Sequence, residues 1–441
     1  MTGVVSPRRR REVLAALRRG TVPSNGLDLL AVGLDRFVPA LDADLDTVAG
    51  GGSAFKAVRG EYGAGKTFLT RFLAERALRR GFAAAEVQIS ETETPLHRLE
   101  TVYRRVGEAL RTAAFPPSAF RPVLDSWLFT LESDAVAQDP AVAERSPDAV
   151  ERAVERLLAQ RLAAVSTKTP AFAQALRAYR NAASTGDTAT ADALAAWLGG
   201  QPHVAAAAKR AAGIRGELDH FGAMAFLQGL LEVLRDGGHP GLLLVLDEVE
   251  TLQRVRGDVR DKALNALRQL VDEIDSGRYP GLFLVITGTP AFYDGPSGVP
   301  RLPPLVQRIA TDFSTDPRFD NPRAVQLRLP GFGRESLLAL GARVRDLYRD
   351  GADQPARIAA TVDDAYVAEL ADSIIGSFGG KVGVAPRIFL RKLVSEVLDR
   401  VDQFADFDPR RDYPPTVSTA ELTETERNAA AGADDVELDL P

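Results

Sequence analysis

Residues 60–67, Gly60-Glu61-Tyr62-Gly63-Ala64-Gly65-Lys66-Thr67, satisfy the pattern G-x-x-x-x-G-K-[ST] at every fixed position. Nothing else in the chain restricts its fold so tightly, because the pattern works only between a strand and a helix. The glycines let successive backbone N–H groups turn inward at the positive end of the helix, forming a cradle for nucleotide phosphates. The flanks agree with that context. Ala54–Arg59 alternates as a short strand does, and Phe68, Leu69, Phe72, Leu73 and Leu78 fall on one face of a helix running to Arg80. In this frame Lys66 reaches the β- and γ-phosphate oxygens and Thr67 ligates Mg²⁺.

A second element supplies the chemistry that a phosphate cradle lacks. The apolar run Gly241-Leu242-Leu243-Leu244-Val245-Leu246 has the character of a strand buried on both faces, and it ends in Asp247-Glu248. Two carboxylates at that strand end suit a metal-holding Asp247 and a Glu248 that polarises an attacking water. Glu250, two residues on, is expected to cap or pair the following helix. Another apolar strand, Gly281–Ile286, ends in Thr287-Gly288-Thr289, the position at which P-loop ATPases of the AAA+ type carry a γ-phosphate sensor; Thr287 is the candidate, and a simple strand-ending turn is the alternative. Downstream, Arg301 and Arg308 flank Pro303-Pro304-Leu305-Val306, and Arg308 is the candidate finger reaching a neighbouring subunit; an ordinary surface ion pair is the alternative. In Gly383-Val384-Ala385-Pro386-Arg387 the proline suits a first helical turn, and Arg387 at the helix start is the candidate second sensor.

Strands alternating with helices predict an α/β fold with a parallel sheet. Residues 1–49 form an N-terminal helical segment, within which Ala31–Arg36 is placed to fold over the adenine, and Gly50-Gly51-Gly52 leads into a core over 50–330. Within the core, the Ala-rich, Pro-punctuated stretch of about 116–213 has helical periodicity and is expected to be a helical insertion. Strand signals stop near Pro330, so 331–403 is expected to be a helical lid, and 404–441 an acidic disordered tail.

Composition narrows the function classes. The chain has 441 residues, no cysteine and four scattered histidines, which removes disulfides, thiolate chemistry and zinc sites from consideration. No apolar run approaches a membrane span, and the Arg-rich start has no apolar stretch behind it, so the cytoplasm is the expected compartment. A net charge of −6 argues against a surface that holds nucleic acid throughout.

The cradle, the Leu-Asp-Glu strand, Thr287 and the Gly-x-x-Pro-Arg element together resemble an AAA+ P-loop ATPase of the origin-recognition and Cdc6-like branch. Three runs are more specifically similar to BrxD-type ATP-binding proteins of BREX phage-defence systems. These are Gly60–Phe68; Leu267–Asp272 with Gly281–Pro290; and Pro386–Leu393. The resemblance implies ATP and Mg²⁺ as ligands, with Gly60, Glu61, Tyr62, Gly63, Ala64, Gly65, Lys66, Thr67 and Phe68 around the nucleotide. It also implies other defence-system proteins as partners, DNA only through a complex, no membrane, and ATP-dependent self-association. The expected function is an ATP-hydrolysing motor or switch. The alternatives are a DNA-associated loader or scaffold and a signalling ATPase with slow hydrolysis. Origin-recognition relatives usually continue into a winged-helix domain, and here only the acidic tail follows the lid.

Overall fold

The computed structural model describes residues 5–138, 147–163, 169–377 and 385–415. Five parallel strands form one sheet in the order β2-β3-β4-β1-β5. The strands are β1 (Ala54–Arg59), β2 (Ala83–Gln88), β3 (Leu242–Asp247), β4 (Leu282–Gly288) and β5 (Gln326–Arg328). Parallel pairing puts every strand's carboxyl end at the same edge. The cradle after β1, the two carboxylates after β3 and the threonines after β4 therefore converge without any long-range device.

Side-chain alternation explains why both faces are covered. Leu242, Leu244 and Leu246 of β3, with Leu282, Leu284 and Ile286 of β4, enter one apolar core, while Leu243, Val245, Phe283 and Val285 enter another on the opposite face. The second core is closed by helices Val38–Ala49 and Lys66–Arg79. The first core receives the helices of the insertion. Trp127, Phe172, Tyr179 and Trp197 are buried in it with the strand residues, and Phe226 meets Tyr103, Phe172 and Trp197 edge to face at 5.1–5.9 Å. The insertion is thus a structural layer of the sheet.

The third apolar core belongs to helices Arg334–Arg349, Pro355–Thr361 and Asp364–Ser377 together with the helical run from Ala385 to Gln403, whose middle, Lys392–Leu398, is π-helical. The expected parallel P-loop core, helical insertion and helical lid are all present. Helix Pro7–Arg18 joins this third core through Val13, Leu14 and Leu17, and Arg18 forms a two-pronged pair with Asp399 at 2.7 Å. Its arginines do not simply face solvent.

Strand β5, which precedes Pro330 and which no sequence pattern marks, adds a fifth strand beside β1. Helix Leu99–Ala109 ends where Arg111 returns to bridge Ala84 beside β2. One expectation needs correction. Disorder does not begin at Phe404. Residues 404–415 are ordered against the lid: Arg357 donates to Phe404 O at 2.6 Å and Phe407 O at 2.5 Å, and Arg410 donates to Asp363 at 2.6 Å. The rest of the expected tail, 416–441, lies outside the described residues, as do Gly383 and Val384. Among the described residues no helix is long and apolar enough to cross a membrane.

Candidate nucleotide site

The loop after β1 is shaped by its glycines. Gly63 has φ 76° and Gly65 φ 90°, a region that L side chains rarely occupy. At Gly60 a Cβ would stand 3.1 Å from the Ala64 side chain, a contact that would crowd the loop. Helix Lys66–Arg79 starts directly behind the loop and aims its N-terminal N–H groups into it. Lys66 is buried. Its Nζ donates to Gly60 O at 2.8 Å and Glu61 O at 3.2 Å, and lies 3.9 Å from the Glu250 carboxylate and 5.2 Å from the centre of the Tyr62 ring. Burial pulls the Lys66 ammonium below its usual range, and the surrounding carboxylates oppose that shift.

Asp247 ties three elements together at the end of β3. Its Oδ2 accepts from the Thr67 hydroxyl at 3.0 Å, and its Oδ1 accepts from the Thr287 hydroxyl of β4 and from the Glu248 N–H. The Glu248 N–H also reaches Thr287 Oγ1 at 3.1 Å. Glu248 adopts the left-handed conformation at φ 60°, uncommon for a residue with a side chain and concentrated at functional sites. Its Oε2 accepts from Gln88 Nε2 of β2 at 2.8 Å.

Above this edge lies a cavity of about 290 Å³. Its polar floor is Gly63, Gly65, Lys66, Thr67, Asp247, Glu248 and Glu250. Its apolar wall combines Leu17, Val22, Pro23 and Leu30 from the N-terminal segment with Phe332, Leu340 and Leu390 from the lid. Phe68 and Tyr62 complete the rim, and Arg387 enters from the lid side, its side chain passing over Gly20. The N-terminal wall is held to the core by Glu75, whose carboxylate accepts the Gly26 and Leu27 N–H groups at 3.1 and 2.9 Å.

The structure brings Lys66, Thr67, Asp247, Glu248, Tyr62, Phe68 and Arg387 to one pocket. It places other candidates elsewhere. Thr287 is fully buried behind Asp247 and reaches the pocket through that carboxylate and the Glu248 N–H. Arg308 lies outside the pocket lining and pairs with Asp272 at 2.6 Å, while Arg301 pairs with Asp261 at 2.9 Å. Glu250 does not cap the next helix but lines the polar floor of the pocket. The N-terminal part of the apolar wall comes from residues 17–30; Ala31–Arg36 is not in the lining, and Arg36 donates to Pro317 O at 2.8 Å. Gln88 and Glu250 were hidden from the sequence. A polar residue at a strand's carboxyl end was the available signal for Gln88; nothing local marks the burial of Glu250.

This donor set fits a nucleoside triphosphate with a hard cation. The glycine-shaped cradle leaves backbone N–H groups and Lys66 for phosphate, and the apolar wall suits a base. Thr67 and Asp247 offer the oxygen donors that Mg²⁺ takes, alongside phosphate oxygens and water. Among the described residues no group of three or more His, Cys, Asp or Glu could hold a metal by itself, so the cation would depend on the nucleotide.

A profile of the family described as BREX system ATP-binding protein BrxC/D matches residues 5–417. Comparison with curated proteins finds no match. Among solved structures the chain is similar to the Aeropyrum pernix ORC2 protein in its ADPNP–ADP complexes, at 12% identity and a TM-score of 0.35. That similarity covers 82% of this chain and 66% of the other.

Because Lys66 faces the phosphate floor and contributes little to any core, Lys66→Ala is expected to fold normally and to lose nucleotide-dependent stabilisation. At ATP one hundred times its Kd the wild type should gain about 2.7 kcal/mol by mass action. Thermal melts with and without Mg-ATP read this directly, and an equal shift in both proteins would remove Lys66 from the phosphate site.

Proposed function

The chain belongs to the family of BREX system ATP-binding proteins, BrxC/D, and from that premise we propose that it hydrolyses ATP to ADP and phosphate in this pocket, acting as a switch within a phage-defence complex. The observation that carries the reading is the convergence of cradle, Asp247-Glu248 pair and lid arginine on one cavity whose walls come from both core and lid. Mg²⁺ held by Thr67 and Asp247 would neutralise charge on the β- and γ-phosphate oxygens.

The chain's own residues supply the rest. The loop N–H groups and Lys66 bind phosphate oxygens, and Thr287 fixes the rotamer of Asp247 by donating to its Oδ1. Glu248 accepts the proton of the attacking water on its carboxylate while Gln88 orients that carboxylate from β2. Arg387 binds the nucleotide from the lid, so a change in the phosphates alters what the lid can hold on to. Leu17, Leu30, Phe332 and Leu390 keep water from the base side. The Gln88–Glu248 hydrogen bond favours the slower variant of this reading, a nucleotide-dependent loader or scaffold in which a partner must release the base before turnover. Turnover measured with and without DNA and the other defence proteins separates the two. The cytoplasm remains the proposed compartment.

The two carboxylates are expected to fail differently. Glu248→Gln should retain Mg-ATP and lose at least about a hundredfold in turnover, whereas Asp247→Asn should lose Mg²⁺-dependent binding. Single-turnover hydrolysis beside filter-binding with labelled ATP distinguishes them; wild-type turnover in Glu248→Gln would transfer the base role to another carboxylate. A finger role for Arg308 belongs to the same proposal only if ATP assembles copies of the chain, since the arginine must leave Asp272 to reach a neighbour's site. In that case Arg308→Ala lowers turnover with ATP affinity intact, and mixing it with Glu248→Gln restores some activity. Full activity in Arg308→Ala, with a mass that ATP does not change, would leave the arginine a purely structural ion pair.

A further inference from the structure

Three carboxylates, Asp247, Glu248 and Glu250, line the pocket against one deeply set ammonium, that of Lys66. Asp247 and Glu248 have hydrogen-bond donors that account for their positions. Glu250 has none. It is 5% exposed, and among the described residues neither of its oxygens has a hydrogen-bond partner. Its nearest cation is Lys66 Nζ at 3.9 Å, outside hydrogen-bonding distance, and that ammonium spends its hydrogen bonds on Gly60 O and Glu61 O.

The groups facing Glu250 explain how finely its charge is balanced. Lys66 faces it from the helix behind the cradle, Tyr62 from the loop, Asp247 and Glu248 from the end of β3, and Tyr293 from the short helix Pro290–Asp294. Arg254 acts on Tyr62 and Arg59 on Tyr293. Burial pushes the Glu250 carboxyl above its usual range, and the Lys66 charge and the residue's own N–H dipole oppose the shift. Both tyrosine hydroxyls are raised first by burial and then by the Glu250 charge. A buried carboxylate so poorly supplied with hydrogen bonds depends chiefly on its one cation.

We infer that Glu250 is the positioning residue for Lys66: as a carboxylate it seats the ammonium against the Gly60 and Glu61 carbonyls, and it takes up one proton when a triphosphate claims that ammonium. The inference rests on the reading that phosphates bind at Lys66. A triphosphate brings several negative charges to the far side of the ammonium, and Lys66 then compensates phosphate oxygens in place of Glu250. The neutral acid becomes the stable form, because like charges and burial both disfavour the carboxylate. The proton comes from solvent and stays on a carboxyl oxygen; no other bond changes. Uptake on binding fixes the sign of the pH dependence. Affinity weakens as pH rises between the bound-state and free-state pKa values of Glu250, by at most about tenfold per pH unit.

The test is calorimetric titration of the full chain with Mg²⁺ and a non-hydrolysable ATP analogue. It is run at about pH 8, well above the second phosphate pKa near 6, in two buffers of different ionisation enthalpy. The wild type should show buffer-dependent heats of the sign that marks net proton uptake. Glu250→Gln, which mimics the neutral acid, should bind with buffer-independent heats and an affinity that stays flat with pH. A residue that only packed would leave the proton count unchanged when replaced. Tight wild-type binding with buffer-independent heats would overturn the inference, as would full proton uptake in Glu250→Gln. Should that variant fail to fold, Glu250→Ala takes its place, because a Lys66 ammonium regaining its proton on phosphate binding would give the same wild-type count. Absence of wild-type binding would instead overturn the phosphate-site assignment, and this inference with it.

Discussion

The carboxylate of Asp247 holds the functional edge of the sheet together. One oxygen accepts from Thr67 at the start of the helix behind the cradle, and the other accepts from Thr287 at the end of β4 and from the Glu248 N–H. Those contacts fix where the cradle helix, β3 and β4 stand relative to one another at the one place where a sub-ångström error would misdirect chemistry. They also explain the unusual backbone of Glu248. With its N–H held by Asp247 and Thr287, the chain turns through the left-handed region, and the Glu248 carboxylate is delivered to the pocket beside Gln88.

The second constraint is that the pocket has no complete wall within the sheet domain. Leu17, Val22, Pro23 and Leu30 come from before β1, and Phe332, Leu340 and Leu390 from after β5. The N-terminal segment belongs to both sides. Glu75 anchors its loop to the cradle helix, while Arg18 and the buried face of helix Pro7–Arg18 anchor it to the lid. A ligand filling the cavity would touch core, strap and lid at once. Core and lid residues thus share one cavity, with the cradle on its floor and Phe332, Leu340, Arg387 and Leu390 on its walls.

Much of this was legible in the sequence, for reasons that differ by element. Strand β1 stood out by its alternation ahead of the cradle, and β3 and β4 because a strand buried on both faces is a continuous apolar run, as Leu242–Leu246 and Leu282–Ile286 are. The cradle and Asp247-Glu248 were legible because their chemistry fixes residue types at fixed spacing. Strand β5 escaped notice: its three residues, Gln326–Arg328, are set by pairing to β1 and carry no apolar pattern. The direction of Thr287, the pairing of Arg308 with Asp272 and the isolation of Glu250 depend on which helix packs where, and no local pattern encodes them. The order in residues 404–415 was obscured by an acidic, Pro-rich composition, although Arg357 and Arg410 supply the partners that hold the segment down.

The central claim, that one nucleotide site is shared by core, N-terminal strap and lid, is tested most directly by hydrogen exchange on the full chain with and without Mg²⁺ and a non-hydrolysable ATP analogue. Exchange should slow together in residues 20–30, 60–69 and 386–391, the three stretches that meet at the cavity. Protection confined to 60–69, with 20–30 and 386–391 unchanged at saturation, would contradict the shared site and reduce the lid to a bystander.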